Sequence, residues 1–331
     1  MTASAAPRPG DDLALLADGV RRGDRMSVAR MLSLVEAGDE AARPAIASLA
    51  SDGGHAYTIG VTGAPGAGKS SLTDRLVGVV RSAGDSVAVL AVDPSSPRTG
   101  GAILGDRVRM GVHATDPGVF IRSMATRGQL GGLAAAAPQA IRVLDATGTP
   151  WIIVETVGVG QAELDIAGAT DTTLVVVNPG WGDGVQANKA GLLEVADVFV
   201  VNKADRGGAD ATVRDLVAML ELGPAPAGSW RPPIVETVAT TGEGVDRLWD
   251  AVRAHRDHLI ETGLLEQRRR ERLHREIRDA VKTQLAHMAD EWCGGPRFEA
   301  LVAEQARGGF DPHRIAAQVV AEALGGAVDE P

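Results

Sequence analysis

The chain has 331 residues and a net charge of −10, and 44% of its residues are hydrophobic although only 3% are aromatic. Its core must therefore be built from Ala, Val, Leu and Ile, and the length allows about two domains. A charged fraction of 23% is ordinary for a globular protein, which excludes a disordered or collagen-like chain. No apolar run approaches the ~18 residues of a membrane-spanning helix, so we expect that the chain is not an integral membrane protein and has no membrane partner.

The acidic balance and the single cysteine limit the partners and the location. With 33 basic and 43 acidic residues, the chain lacks the positive footprint of a general nucleic-acid binder. Cys293 alone cannot form an intramolecular disulfide, which fits a reducing compartment. Residues 1–10 are polar and lack an apolar stretch of signal-peptide length, so we expect a disordered leader and a cytoplasmic protein.

Residues 11–54 are predicted to form an N-terminal helical extension. Leu13, Leu16 and Val20 recur at helical spacing. Asp24 is placed to cap a second helix. The apolar residues of that second helix are Val28, Met31, Leu32 and Val35.

Residues 55–256 alternate short apolar runs with longer helical patterns. Continuous runs rich in β-branched residues are typical of strands buried on both faces of a parallel sheet. Helical patterns between such runs indicate βαβ units, so we predict an α/β domain with a mainly parallel sheet flanked by helices. The strands are predicted at 58–62, 87–92, 151–156, 174–178, 198–202 and 234–238.

Residues 257–331 are predicted to be helical again. One apolar stripe runs along a densely charged helix and consists of Leu273, Ile277, Val281, Leu285 and Met288. The pattern alone leaves open whether this stripe packs within one protomer or across a homodimer. Asp311 and Pro312 begin a last predicted helix.

A phosphate-binding loop is the strongest signal in the sequence. The motif G-x-x-x-x-G-K-[ST] lies between the first predicted strand and a helix predicted at 71–80, which is the context the motif requires. Its glycines let backbone N–H groups face phosphate oxygens, and the helix N-terminus adds positive potential. Lys69 is expected to reach the β- and γ-phosphates, and Ser70 to ligate Mg²⁺. The predicted nucleotide-binding residues here are Gly63, Ala64, Pro65, Gly66, Ala67, Gly68, Lys69, Ser70 and Ser71.

A second motif predicts that the base is guanine, so the ligands would be GTP and GDP. Asn202, Lys203 and Asp205 fit N-K-x-D directly after an apolar strand run. A carboxylate at Asp205 can accept from both N1–H and the exocyclic amine of guanine, whereas adenine would leave it unpaired. Lys203 can lie along the base plane. A weaker match follows the next strand, where a backbone N–H would meet the base carbonyl, and comprises Val238, Ala239 and Thr240.

Acidic residues at strand ends predict the metal and switch positions. Glu155 ends a strand and precedes Gly158, as in a D-x-x-G switch motif with Glu in place of Asp. Glu155 would hold Mg²⁺, and the Gly158 N–H would sense the γ-phosphate. Asp93 directly follows another predicted strand and is a further candidate metal ligand. Asp106 lies in a loop that could contact the ion, although a solvated turn explains it equally well. Val159 stands where small G proteins place a water-orienting Gln, which predicts slow intrinsic hydrolysis.

Together these motifs resemble the MeaB/ArgK family of G-protein chaperones of methylmalonyl-CoA mutase, which is related to the human MMAA protein. The resemblance spans about residues 11–325. Beyond the general GTPase motifs, it is carried by three longer segments, at residues 93–110, 122–133 and 155–161.

The resemblance implies a P-loop GTPase of the SIMIBI class and a homodimer formed through C-terminal helices. It also implies a partner, an adenosylcobalamin-dependent acyl-CoA mutase. The family's members gate cofactor loading of this enzyme, and they protect or reactivate it. Lys189 and the loop before it resemble the family's mobile segment. The family commonly has Pro-Gly-Ala-Gly-Asp-Glu in this loop, and Trp181 and Gly184 depart from that pattern.

Three other functions remain open from the residues alone. A GTP-dependent nickel metallochaperone would need a Cys/His cluster near the nucleotide, yet the seven histidines are scattered. His255 and His258 have i, i+3 spacing, and we interpret them as surface histidines rather than metal ligands. A small-molecule kinase using ATP is opposed by the N-K-x-D motif. A non-hydrolysing scaffold is opposed by Lys69, Ser70 and Glu155.

Overall fold

The structure is a computed structural model, and it describes residues 9–50, 52–93, 111–113, 115–125, 136–156, 162–180, 194–222, 229–305 and 311–323. The chain divides into two compact units, residues 1–266 and 267–331. The first unit contains the sheet and the motifs discussed above. The second unit contains helices only, among its described residues.

A seven-stranded parallel sheet forms the centre of the first unit, in the order β3-β2-β4-β1-β5-β6-β7. Every residue of β1, β4, β5 and β6 is buried, as expected for central strands covered on both faces. The α/β prediction is therefore confirmed. The strands are β1 (Tyr57–Gly63), β2 (Val87–Asp93), β3 (Val119–Ala125), β4 (Trp151–Thr156), β5 (Thr172–Val177), β6 (Val198–Asn202) and β7 (Ile234–Thr237).

Helices cover both faces of this sheet. One face packs on the helices Lys69–Ser82 and Val245–Glu261. The other face packs on the N-terminal helices and on the helices Ala137–Asp145 and Ala209–Leu222. Among its described residues, the α-helices of the first unit are α1 (Pro9–Arg21), α2 (Arg25–Ala37), α3 (Arg43–Leu49), α4 (Lys69–Ser82), α5 (Ala137–Asp145), α6 (Ala162–Ala169), α7 (Ala209–Leu222) and α8 (Val245–Glu261).

The N-terminal helices belong to the same core as one half of the sheet. Asp24 caps α2 by accepting from the Ser27 N–H at 2.8 Å, as its position in the sequence predicts. The four apolar residues predicted for this helix are all buried, together with Ala88, Leu90 and Val92 of β2. A third helix, α3, lies within the predicted helical extension, although the sequence pattern did not identify it as a separate helix.

The edge strand β3 is missing from the sequence prediction. Its middle residues are only partly buried and include Arg122 and Ser123, so the run lacks the continuous apolar signal of the central strands. Arg122 donates to Glu36 of α2 at 3.1 Å, and the Ala125 N–H donates to the other oxygen of that carboxylate. Helix α2 therefore supplies the partner both of the Arg122 side chain and of the backbone N–H at the end of the strand.

The second unit is built from the helix α9 (Leu264–Cys293), which begins at the end of the first unit, and from α10 (Pro296–Gln305) and α11 (Pro312–Ala323). Asp311 accepts from the His313 N–H at 3.0 Å, which fits the predicted start of the last helix. Four residues of the apolar stripe on α9 are between 51% and 54% exposed: Leu273, Ile277, Val281 and Leu285. None of the described helices is both long enough and apolar enough to span a bilayer.

Candidate nucleotide site

The phosphate loop joins the carboxyl end of β1 to the first residue of α4. Two of its glycines are required by close approaches to neighbouring strands. Gly63 has φ 129°, and a Cβ there would lie 2.0 Å from the Val176 carbonyl oxygen of β5. Gly68 has φ 92°, and its Cβ would lie 2.4 Å from the Asn202 side-chain nitrogen. Since other residues rarely adopt such φ angles and no side chain fits, glycine is needed at both positions.

Lys69 is the first residue of α4, and its ammonium group lies inside the curve of the loop. It donates to the carbonyl oxygens of Gly63 at 2.8 Å and of Ala64 at 3.0 Å, and the residue is 7% exposed. The positive charge is therefore fixed at the helix N-terminus, where an anion is also favoured by the helix dipole.

Ser70 and Glu155 meet beside the loop, as the metal prediction requires. The Ser70 hydroxyl donates to a Glu155 carboxylate oxygen at 2.5 Å, and both residues are buried. Mg²⁺ prefers oxygen ligands and is usually held by one or two protein groups together with phosphate and water. A hydroxyl and a carboxylate in contact next to a phosphate loop fit this requirement.

Other predicted metal and switch residues fall partly or wholly outside the described structure. Asp93 is the last residue of β2, which pairs with β4 so that Ala91 lies opposite Glu155. The backbone of Asp93 therefore ends at the same edge of the sheet as Glu155, while its side chain is outside the described part. Asp106, Gly158 and Lys189 lie outside the described residues, as do Val159, Trp181 and Gly184.

Asn202 ties the predicted base motif to the phosphate loop. Its side-chain amide donates to the Ala67 carbonyl oxygen at 2.7 Å. Its side-chain oxygen accepts from the Ala239 N–H at 3.1 Å and from the Thr237 hydroxyl at 3.2 Å. The residue is 1% exposed. One buried side chain therefore joins the phosphate loop, β7 and the segment that follows β7.

Lys203 makes a second link between the same two motifs. It is the one residue other than glycine with positive φ in the described part of the chain, at 61°, and its ammonium group donates to the Gly66 carbonyl oxygen at 2.6 Å. Asp205 follows on an exposed turn, with its carboxylate accessible to solvent. Ser71 is exposed in the first turn of α4.

The segment 238–240, which we call the base loop, follows β7 directly. The Val238 N–H donates to the Glu243 carbonyl oxygen at 2.9 Å, and the loop then turns into α8. Two residues that the sequence did not mark also hold this region. These are Thr237, which donates to Asn202, and Arg75 of α4, which donates to the carbonyl oxygens of Ala239 and Thr240.

The interpretation of His255 as a surface histidine is wrong. His255 is fully buried, with its ring nitrogens 2.7 Å from the Thr172 hydroxyl and 3.3 Å from a carboxylate oxygen of Asp197. Thr172 begins β5 and Asp197 precedes β6, so this cluster lies at the amino ends of the strands, opposite the phosphate loop. Among the described residues, no group of three His, Cys, Asp or Glu side chains could hold a metal ion.

A parallel sheet whose first strand leads through a glycine-rich loop with Lys and Ser into a helix defines the P-loop nucleotide hydrolases. Within that class the chain belongs to the MeaB family, because residues 28–292 match the family model described as methylmalonyl-CoA mutase-associated GTPase MeaB.

Individual relatives agree with this assignment. A putative GTPase of Pyrococcus abyssi is 48% identical over 315 residues, covering 95% of this chain and 97% of the relative. The GTPase ArgK of Escherichia coli is 36% identical over 269 residues, covering 78% and 81%. The mitochondrial methylmalonic aciduria type A homolog of Mus musculus is 35% identical over 217 residues, covering 64% and 52%.

Among solved structures, the crystal structure of an LAO/AO transport system kinase matches with a TM-score of 0.71 at 24% identity, covering 96% of this chain and 100% of the other. That likeness shows a shared fold and says nothing more about activity. The family, and with it the GTPase class, rests on the family model and on the sequence relatives.

Proposed function

We propose that this protein binds and slowly hydrolyses GTP, and that the nucleotide state gates cofactor loading of an adenosylcobalamin-dependent acyl-CoA mutase. The observation that carries the nucleotide part is the pair of contacts from Asn202 to Ala67 and from Lys203 to Gly66. Through them, the motif that would read guanine is held against the loop that would hold the phosphates.

The phosphate chemistry would depend on Lys69, Ser70 and Glu155. Lys69 would exchange its two carbonyl partners for phosphate oxygens and would stabilise the charge that develops on the transferred group. Ser70 and Glu155 would hold Mg²⁺, which neutralises phosphate charge when bound. Lys69→Ala is therefore expected to abolish phosphate release, and turnover that survives in rigorously purified protein would contradict this role.

Guanine selectivity would come from Asp205. Its exposed carboxylate can accept from N1–H and the exocyclic amine of guanine, whereas adenine lacks both donors in that arrangement. The test compares GDP, ADP and xanthosine diphosphate binding by calorimetry. Asp205→Asn should lose GDP affinity and gain affinity for the xanthine nucleotide, whose additional carbonyl can accept from the new amide.

A matched control for that test is Asp210→Asn. Asp210 is another exposed aspartate, in the first turn of α7, and its neutralisation changes the net charge by the same amount. It should leave the order of nucleotide affinities unchanged. Equal affinity of the unmodified protein for GDP and ADP would refute the guanine assignment.

The proposed partner is supported by the family and by one relative. The family model is described as mutase-associated, and the mouse relative is named for methylmalonic aciduria. Val159 directly follows the predicted switch glycine and cannot orient water, so we propose that hydrolysis is slow until the mutase binds. Lys189 is proposed to couple the nucleotide to this partner.

The partner experiment is a titration of GTP hydrolysis with purified methylmalonyl-CoA mutase, with and without Lys189→Ala. The mutase can bind the GDP-bound protein and the analogue-bound protein with different affinities. Linkage then requires that the mutase change the ratio of the two nucleotide affinities by the same factor. The proposal would be refuted for that mutase if the enzyme changed neither GTP hydrolysis nor nucleotide affinity and formed no complex in either nucleotide state. No contact among the described residues favours the metallochaperone or the kinase instead.

We further propose a homodimer formed through the apolar stripe of α9. Four of its five residues are about half exposed in the single chain, and burying such side chains is worth roughly 1.5–3 kcal/mol each when burial is complete. The family resemblance favours a second copy as the covering partner.

A further inference from the structure

Arg75 links the helix that follows the phosphate loop to the base loop. It lies in the second turn of α4, and its guanidinium Nε donates to the Ala239 carbonyl oxygen at 3.0 Å. One terminal nitrogen donates to the next carbonyl oxygen, that of Thr240, at 2.7 Å. A guanidinium presents its donors in a rigid planar fork, so it can hold two successive carbonyl groups in a fixed relative orientation.

We infer that Arg75 is a positioning residue for guanine recognition. A peptide unit is planar, and in the trans form its C=O and N–H point in opposite directions. Holding the Ala239 carbonyl therefore also fixes the direction of the Thr240 N–H, which belongs to the same peptide unit. Because the Val238 and Ala239 N–H groups already donate within the protein, Arg75 thereby orients the Thr240 N–H toward the carbonyl at position 6 of the purine.

The other contacts of the base loop show why a further support is needed. The Ala239 N–H donates to the Asn202 side chain, and the Gly242 N–H donates to the Val238 carbonyl oxygen at 2.8 Å. These bonds fix the start of the loop and its turn into α8. Neither bond involves the carbonyl groups of Ala239 and Thr240, and the guanidinium of Arg75 donates to both of them.

This inference rests on the proposed guanine site, and its test must separate recognition from plain structural support. Arg75 is exposed, so Arg75→Ala is expected to fold. We expect it to weaken GDP binding about tenfold, which corresponds to about 1.4 kcal/mol. The 2-aminopurine riboside diphosphate lacks the carbonyl at position 6 and the N1–H that pairs with Asp205. Its weaker binding does not depend on the base loop, so it should change by less than about twofold in Arg75→Ala.

The matched control is Arg81→Ala on the same helix. Arg81 donates to both carboxylate oxygens of Asp116, at 2.9 and 3.0 Å, and does not contact the base loop. It should leave the GDP to 2-aminopurine affinity ratio at the wild-type value. Arg75→Lys, which can reach one carbonyl at a time, should give an intermediate ratio.

The outcomes distinguish this inference from the function on which it rests. A fall in the affinity ratio confined to the Arg75 variants, with KM for GTP rising more than kcat falls, supports the positioning role. Equal weakening of both nucleotides, or no weakening, overturns it while leaving the guanine site intact. If the unmodified protein fails to prefer GDP over the 2-aminopurine nucleotide, the guanine site itself is refuted.

Discussion

Asn202 offers the sharpest test of how the nucleotide site is assembled. Its side chain makes three hydrogen bonds, to the Ala67 carbonyl oxygen, the Ala239 N–H and the Thr237 hydroxyl. In Asn202→Ala each of the three partners loses its hydrogen bond to the side chain. Asn202 is only 1% exposed, so water does not readily replace these bonds. The site therefore loses the bonds through which Asn202 joins the phosphate loop to the base loop, without any change of charge.

The size of the effect follows from these contacts. A typical hydrogen bond contributes about 1 kcal/mol net, and a buried group left without a partner costs about 1–3 kcal/mol. The Ala67 and Ala239 backbone groups have little access to water, whereas the Thr237 hydroxyl can rotate toward another acceptor. We therefore expect Asn202→Ala to lower the free energy of unfolding by about 2–4 kcal/mol.

The assay is urea denaturation followed by circular dichroism, with nucleotide removed because a bound ligand raises apparent stability. Thr237→Val is the control, since it removes only the 3.2 Å bond to the Asn202 side-chain oxygen and should cost about 1 kcal/mol. If Asn202→Ala unfolds within about 0.5 kcal/mol of wild type, which is ordinary for a surface change, the side chain does not hold the two loops together.

Three further predictions test the loop, an ion pair and the helical unit. Gly68→Ala should abolish GDP binding in calorimetry, because its φ is 92° and the added Cβ would lie 2.4 Å from the Asn202 side chain. A hydrogen bond from Arg81 holds the pKa of Asp116 below its usual value, so the carboxylate stabilises the fold above about pH 4 and this contribution is lost as the pH falls further. Wild type should therefore be more stable than Asp116→Asn to urea at pH 7, and the difference should shrink near pH 3. Ile277→Glu should convert a dimer to a monomer in light scattering, and an unchanged mass would exclude the stripe as the interface.

The sheet was largely predictable because its central strands are buried on both faces. In such strands consecutive apolar residues give the signal, as at 151–154 of β4 and 174–177 of β5, two strands in which all residues are buried. The edge strand β3 gives no such signal, since Arg122 and Ser123 interrupt it. Its polar groups find partners on α2, a contact between segments nearly ninety positions apart that local pattern does not encode.

The site was predictable motif by motif, but not in its connections. The phosphate loop and N-K-x-D have recognisable spacing because each is one short segment that would contact the nucleotide by itself. The bond from Asn202 to Ala67 depends instead on β1, β5 and β6 being neighbours in the sheet. Arg75 belongs to no recognised sequence motif. Its contacts with the base loop are found only in the folded structure, where α4 and this loop are neighbours.

His255 shows the same limit in another form. Its i, i+3 spacing with His258 indicates a shared helix face, but it does not say whether that face meets solvent or the sheet. Helix α8 packs on the sheet, so His255 is enclosed by Thr172 and Asp197. The residue type suggested exposure, and the packing of the helix determined the outcome.

The polar groups of the phosphate loop also bear on how nucleotide affinity would arise. Lys69 and Ser70 already have good partners in the protein, so a phosphate or a metal ion would replace existing bonds. Replacing one hydrogen bond by another changes the free energy little, and the gain must come from charge at the helix N-terminus and from the base. Changes at Arg75 or Asp205 should therefore appear mainly in nucleotide affinity. A change at Lys69 should appear mainly in turnover, because the positive charge of its ammonium group would stabilise the negative charge that develops in the transition state.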